Sequence, residues 1–216
     1  MKPQFDNQVM SSFFLWFDHT LTRKGEAFEN HGSNFYKSDS LYNGYVAYAA
    51  PFKPFVSDKS VGDTTVISGV YVDGTFTPTG SGNLAAINYE QGRVYFSSEP
   101  EGTISGNYSI KDFSVQLTDK NEGELIFETK FKVRPKTFQN ITTGASSKQN
   151  TIPAVFIKNN GSENVPFSFG GQDETRVSVR AVVLSDSQFD VDAVCSIFRD
   201  QRYELVPLLQ EEDMPF

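Results

Sequence analysis

A single cysteine excludes any internal disulfide, and with it the stapled frameworks of small secreted domains. Basic residues are also scarce. Nineteen Lys and Arg face 27 Asp and Glu, a net charge of −8. Affinity for phosphate backbones comes from cations that release counterions, so a broad nucleic-acid surface is disfavoured. Long apolar runs are missing, and no stretch approaches the roughly 18 residues that suggest a membrane-crossing helix. The opening, Met1-Lys2-Pro3-Gln4-Phe5-Asp6, lacks the basic start and apolar stretch of a secretory leader, so a reducing cytosol is the expected birthplace. Three glycosylation-type triplets, at Asn107, Asn140 and Asn160, then read as chance occurrences. Histidine occurs twice and tryptophan once.

Aromatic residues are abundant, with 20 Phe and 9 Tyr. Disordered chains lack such side chains, and Phe and Tyr suit half-buried pleated surfaces, so the excess points to a folded, β-rich protein. A globule of 216 residues buries roughly 70% of its unfolded surface and needs no staples.

Along the chain, residues 6–29 read as an amphipathic helix. Phe5, Val9, Phe13, Trp16, Phe17 and Leu21 recur at three- and four-residue steps, with Phe14 beside that stripe. Asp6 or Asn7 suits the start; Arg23, Lys24 and Gly25 suit the end. Residues 30–60 read as irregular and aromatic, with a short strand after the Asn43-Gly44 turn and breaks at Pro51 and Pro54. Strands are expected at Thr64–Val72, Thr75–Thr77, Leu84–Tyr89, Arg93–Phe96, Thr103–Tyr108, Phe113–Thr118 and Glu124–Val133, with Asp73-Gly74 as a hairpin signal. The polar stretch 136–151 reads as a linker. Further strands are expected at Ile152–Lys158, Asn164–Phe169 and Glu174–Leu184, with turns at Asn159-Asn160-Gly161 and Gly170-Gly171. Asp190 is the expected cap of a short helix that buries Cys195, with Phe189 and Val194 as its hydrophobic staple. Leu205–Leu209 is a last apolar element before an acidic tail.

The expected fold is therefore α+β and β-rich, an antiparallel sheet or sandwich with an N-terminal amphipathic helix and a short C-terminal helix. Four segments follow. Residues 1–60 hold the helix and aromatic loop. Residues 61–135 are a β-rich segment that reads as an insertion. Residues 136–151 link, and 152–216 pack with the first helix as one domain.

Motifs for chemistry are sparse. Asp18 and His19 are neighbours on a helix, pointing about 100° apart, so the carboxylate is poorly placed to orient the imidazole. No base accompanies Cys195, and Asp186, Asp190 and Asp192 do not follow a calcium-loop spacing. The Gly-rich pieces match no phosphate-binding template. The expectation is no catalytic residue, no cofactor and no metal. Arg176 and Arg180 alternate with Val177 and Val179, so two guanidinium groups share one face of a strand.

The helix at Asn7–Lys24, the strand Glu174-Thr-Arg-Val-Ser-Val-Arg-Ala-Val-Val-Leu184 and the helix at Asp190–Gln201 occur in an order that resembles tail-terminator and neck proteins of tailed bacteriophages. The phrases Ile87-Asn-Tyr-Glu-Gln-Gly-Arg-Val-Tyr-Phe96 and Gly106-Asn-Tyr-Ser-Ile-Lys-Asp-Phe113 are similar to β modules of phage virion proteins. The resemblance implies a non-enzymatic virion subunit, assembled in the host cytoplasm. It implies a homo-oligomeric ring, expected to be a hexamer, that contacts other neck or tail proteins and lets DNA pass through its lumen. No membrane partner is implied. Residues expected at subunit contacts are Phe13, Phe14, Trp16, Phe17, Phe52, Phe55, Arg176 and Arg180. The alternative class is a β-sandwich module in which exposed aromatics receive a carbohydrate or cell-surface ligand.

Overall fold

The computed structural model describes residues 5–39, 41–134, 150–165, 174–201 and 203–213. Helix α1 (Phe5–Lys24) opens the chain. Strands β1 (Phe28–Asn34), β2 (Tyr36–Lys37), β3 (Val46–Ala49), β4 (Gly69–Val72) and β5 (Thr75–Pro78) follow. Next come β6 (Leu84–Asn88), β7 (Arg93–Phe96), β8 (Ile104–Lys111) and β9 (Ser114–Leu117). Helix α2 (Glu122–Lys132), the short strands β10 (Val133–Arg134) and β11 (Asn150–Thr151), long β12 (Ala154–Val165) and β13 (Glu174–Leu184), and helix α3 (Gln188–Arg199) complete the order. The fold is α+β and β-rich, with an N-terminal helix and a short C-terminal one.

Two compact units are formed. Unit 1 joins Met1–Gly25, Phe113–Val133 and Ile152–Phe216; unit 2 joins Glu26–Asp112 and Arg134–Thr151.

In unit 1, α1 carries Asp6 in its first turn and Arg23 and Lys24 in its last, matching the helix dipole. Its last turn closes where the Gly25 N–H donates to the Leu21 carbonyl at 3.1 Å. Val9, Met10, Phe17 and Leu21 are buried. So are Ser12 and Thr22, whose hydroxyls donate to the Gln8 and Asp18 carbonyls one turn back. The sheet of this unit has the order β13-β12-β9. Strand β12 runs antiparallel to β13 and parallel to β9. Ala154, Val155, Phe156 and Ile157 are all buried, so both faces of the sheet are covered. Ala154 and Phe156 pack with Leu125 of α2. Val155 and Ile157 point to the opposite face, where α1 lies against β9, β12 and β13. The Asp6 carboxylate pins that arrangement, accepting from Asn159 Nδ2 at 3.2 Å and Ser162 Oγ at 3.0 Å.

Unit 2 stacks two four-stranded antiparallel sheets, β1-β8-β4-β5 and β2-β3-β7-β6. Tyr48, Val94, Phe96 and Leu84 of one sheet meet Val70, Ile104, Tyr108 and Ile110 of the other, with Phe35, Phe55 and Ile67 filling between. Burying each large apolar side chain contributes about 1.5–3 kcal/mol. The β4–β5 hairpin turns at Asp73 and Gly74, both at positive φ (46° and 82°), the primed turn that matches strand twist.

Several local expectations are corrected. Glu124–Lys132 is not a strand; α2 occupies it, and only Val133 is extended, at the start of β10. Parallel neighbours such as β9 and β12 need a crossover element, and Asn121 starts that helix with a reciprocal cap. Its Oδ1 accepts from the Glu124 N–H at 3.0 Å, and the Asn121 N–H donates to Glu124 Oε2 at 2.9 Å. The first helix stops at Lys24, and residues 28–34 pair with β8 instead of continuing it. Strand β4 begins only at Gly69; upstream, the Thr64 hydroxyl donates to the Val61 carbonyl at 2.8 Å and the Thr65 N–H to the Ser109 hydroxyl at 2.6 Å in place of a ladder bond. Asn159–Gly161 is a bulge within β12 rather than a hairpin. Helix α3 starts at Gln188 with Ser187 as N-cap, which leaves Phe189 79% exposed and forms no staple. Cys195 is exposed. The expected linker over 136–149, the strand end 166–169, the Gly170-Gly171 turn and the last three residues lie outside the described residues.

Candidate interaction surfaces

The aromatic residues of α1 are gathered within unit 1. Phe17 stacks on Phe198 of α3 with ring centroids 4.0 Å apart. Trp16 meets Phe17 edge-on at 5.3 Å, Phe13 at 5.5 Å and Phe198 at 5.5 Å. Phe17 is buried, while Phe13, Phe14 and Trp16 are half-buried. The chain end reinforces this layer. The Leu209 N–H donates to Ser12 Oγ at 3.0 Å, and Lys24 lies 3.6 Å from Glu204. The segment thus runs back along α1. Val206 and Leu209 are half-buried, whereas Tyr203 and Leu205 stand 100% and 96% exposed. The packing of 152–216 with the first helix was expected, but no local pattern pairs Phe17 with Phe198, because the two rings sit at opposite ends of the chain.

Phe52 and Phe55 belong to unit 2. Phe55 lies in the core at 1% exposure, and half-buried Phe52 stacks on His31 at 4.3 Å. Both Phe17 and Phe55 are therefore covered by their own chain before any partner arrives. The His31 Nε2 is 3.3 Å from Glu29 Oε2. His19 is half-buried on α1.

Arg176 and Arg180 project from β13, at the edge of the unit 1 sheet. The Arg176 Nε donates to Glu174 Oε1 at 3.1 Å, and Arg180 pairs with Glu122 at the start of α2. A cleft of about 320 Å³ opens beside Arg180, lined also by Lys158, Asn121, Glu122, Phe156 and Val182. The Lys158 ammonium donates to the Asp119 carbonyl at 2.8 Å. The two cations are committed to carbonyl and carboxylate oxygens of the same chain, an arrangement that ties α2 to the sheet.

A second surface is the outer face of the β2-β3-β7-β6 sheet. Tyr36 is paired with Ala49, and Ala47 with Tyr95, so these four side chains share the face opposite the core. Arg93 and Asn88 continue the row from Ala49. Tyr42 and Tyr45 flank the Asn43-Gly44 turn and exchange backbone hydrogen bonds at 2.9 Å. Tyr42 stacks on Tyr95 at 5.2 Å. Tyr36, Tyr42 and Tyr45 remain 55%, 47% and 41% exposed. The result is a tyrosine-rich face with a polar edge, in which Ala47 and Tyr95 are already covered and Tyr36, Tyr42 and Tyr45 stay open.

Among the described residues, no group of three or more His, Cys, Asp or Glu is placed to hold a metal ion. Among the same residues, no helix is long and apolar enough to cross a membrane. No family model matches the chain, and no curated protein or solved structure matches it significantly.

Proposed function

We propose that this chain is a non-catalytic assembly subunit that closes with copies of itself into a ring, in the neck or tail of a tailed-phage virion. The observation that carries the assembly reading is the outer edge of β13. It is an eleven-residue strand with no pairing partner on that side among the described residues. Such an edge is a template for a further chain. Exposed Phe189, Tyr203 and Leu205 in the same unit add apolar surface for neighbours. The neck or tail placement rests on the order of helix, late strand and helix. In that setting the ring is a hexamer, its partners are other neck or tail proteins, and the net charge of −8 suits a lumen through which DNA slides without sticking. Native mass spectrometry over a concentration series, with negative-stain images, tests the proposal. A closed ring supports it, and a monomer at every concentration counts against it.

The tyrosine face of unit 2 favours a second reading, a carbohydrate-binding module. Sugar rings lay their C–H faces on exposed aromatics while polar neighbours take the hydroxyls. A glycan array tests it. Binding that disappears in Tyr36→Ala and Tyr45→Ala supports this reading, and a blank array with folded protein rejects it.

A further inference from the structure

We infer that two copies of this chain join edge to edge through β13, antiparallel and in one register, with Val177 on the two-fold axis. The inference rests on the self-assembly reading and specifies its contact. Glu174, Arg176 and Arg180 fall on one pleat face of β13, and Thr175, Val177 and Val179 on the other. Glu174, Thr175, Arg176, Ser178 and Arg180 are exposed, and Val177 and Val179 half-buried, so the residues needed are accessible. A two-fold axis perpendicular to the sheet keeps each face on its own side, so every residue meets one of the same parity.

Charge and overlap together select the register. With the axis at Thr175, Glu174 also opposes Arg176, but only residues 174–176 of each β13 overlap. With the axis at Arg176 or at Arg180, an arginine opposes its own copy. With the axis at Ser178, Arg176 opposes Arg180. With the axis at Val179, Glu174 opposes Leu184 and the ions find no partner. With the axis at Val177, Glu174 opposes Arg180 at both ends of the seam, each gaining a second partner beside the Arg176 and Glu122 of its own chain with which it is already paired, and Arg176 opposes Ser178. On the other face Val177 meets itself and Thr175 meets Val179. Opposite charges directly across a strand pair stabilise it and like charges destabilise it. The seam makes one six-stranded sheet, β9-β12-β13 continued by β13-β12-β9 of the second copy. Because the contact is self-complementary, it gives the assembly an even number of copies and two-fold axes; a hexamer is then three pairs.

Cysteine cross-linking in a Cys195→Ser background reads the register directly. Under mild oxidation, Val177→Cys gives a disulfide-linked dimer on a non-reducing gel. Thr175→Cys and Val179→Cys do not cross-link alone but do so when the two proteins are mixed. Glu174→Arg, which sets arginine against Arg180 twice, weakens association roughly tenfold. Native mass spectra of the same samples separate the two claims. A closed ring in which Val177→Cys does not cross-link overturns the seam and leaves the assembly reading standing. Monomers throughout overturn both. Cross-linking of Val179→Cys alone, as readily as Val177→Cys, overturns the register.

Discussion

Phe17→Ala separates an internal aromatic cluster from a subunit contact. The Phe17 ring is 6% exposed and stacked 4.0 Å from Phe198. Removing a buried ring loses its transfer free energy and leaves a cavity, which together cost about 3–5 kcal/mol. Phe198 is half-buried and can sag into the space, so the low end of that range is expected. The stack itself adds about 0.5–1.5 kcal/mol beyond area, so a cycle of Phe17→Ala, Phe198→Ala and the double variant shows a coupling of that size. Trp16 is the sole tryptophan and lies 5.3 Å from Phe17, so its fluorescence during urea unfolding reports this cluster. The measurement is made at two protein concentrations. An internal cluster loses the same stability at both, whereas a contact between copies makes the loss depend on concentration. A loss under about 1 kcal/mol, typical of a surface change, or a strongly concentration-dependent one, refutes the placement.

Asn121→Ala removes one half of the reciprocal cap of α2 and costs about 1 kcal/mol in the same unfolding assay, while Asn121→Asp retains most of it. Burial raises the phenol pKa of Tyr48, Tyr89 and Tyr108 above the ordinary value. Their contribution to stability is full below about pH 10, where the unfolded chain also holds the proton, and is lost as pH rises toward the folded values. Unfolding free energy measured from pH 8 to pH 11 thus falls at the alkaline end, less steeply in Tyr108→Phe; an unchanged slope rejects burial as the cause. At neutral pH that variant costs about 1 kcal/mol, because the Ser33 hydroxyl loses its 2.7 Å partner.

The elements that were legible in the sequence are those whose local chemistry and tertiary role agree. Glu174–Leu184 alternates from Arg176 to Ala181, ends in an apolar run, and is β13 over that whole range. Asn43-Gly44 and Asp73-Gly74 are the turns they spell, with positive φ at all four residues. Gly25 ends α1. Where tertiary context decides, local reading went astray. Glu124-Leu-Ile-Phe looks strand-like because its apolar residues cluster. As a helix it buries Leu125 and leaves Ile126 and Phe127 57% and 66% exposed. The Asn121–Glu124 spacing was the signal for that helix. Strand β1 has few apolar residues, and its place is set by pairing with β8 far along the chain. The aromatic stripe of α1 was visible, but the contact of Trp16 and Phe17 with Phe198 of α3 was not. The tyrosine face was hidden for a related reason. Which side of a sheet Tyr36 and Tyr45 occupy depends on register, and register emerges only with the pairing.

The way the first segment of unit 2, Glu26–Asp112, begins and ends has a practical consequence. Phe28 is paired with Lys111, and the Asp112 N–H donates to the Ala27 carbonyl at 3.0 Å. The polypeptide therefore enters and leaves this stretch of the sandwich through adjacent rungs of a single ladder. Genetically, that is a cassette with its two seams side by side. Material exchanged between Ala27 and Asp112 must span only one interstrand gap, so this junction is where a reporter domain, or a loop of two or three residues, can be spliced in with little strain on what flanks it.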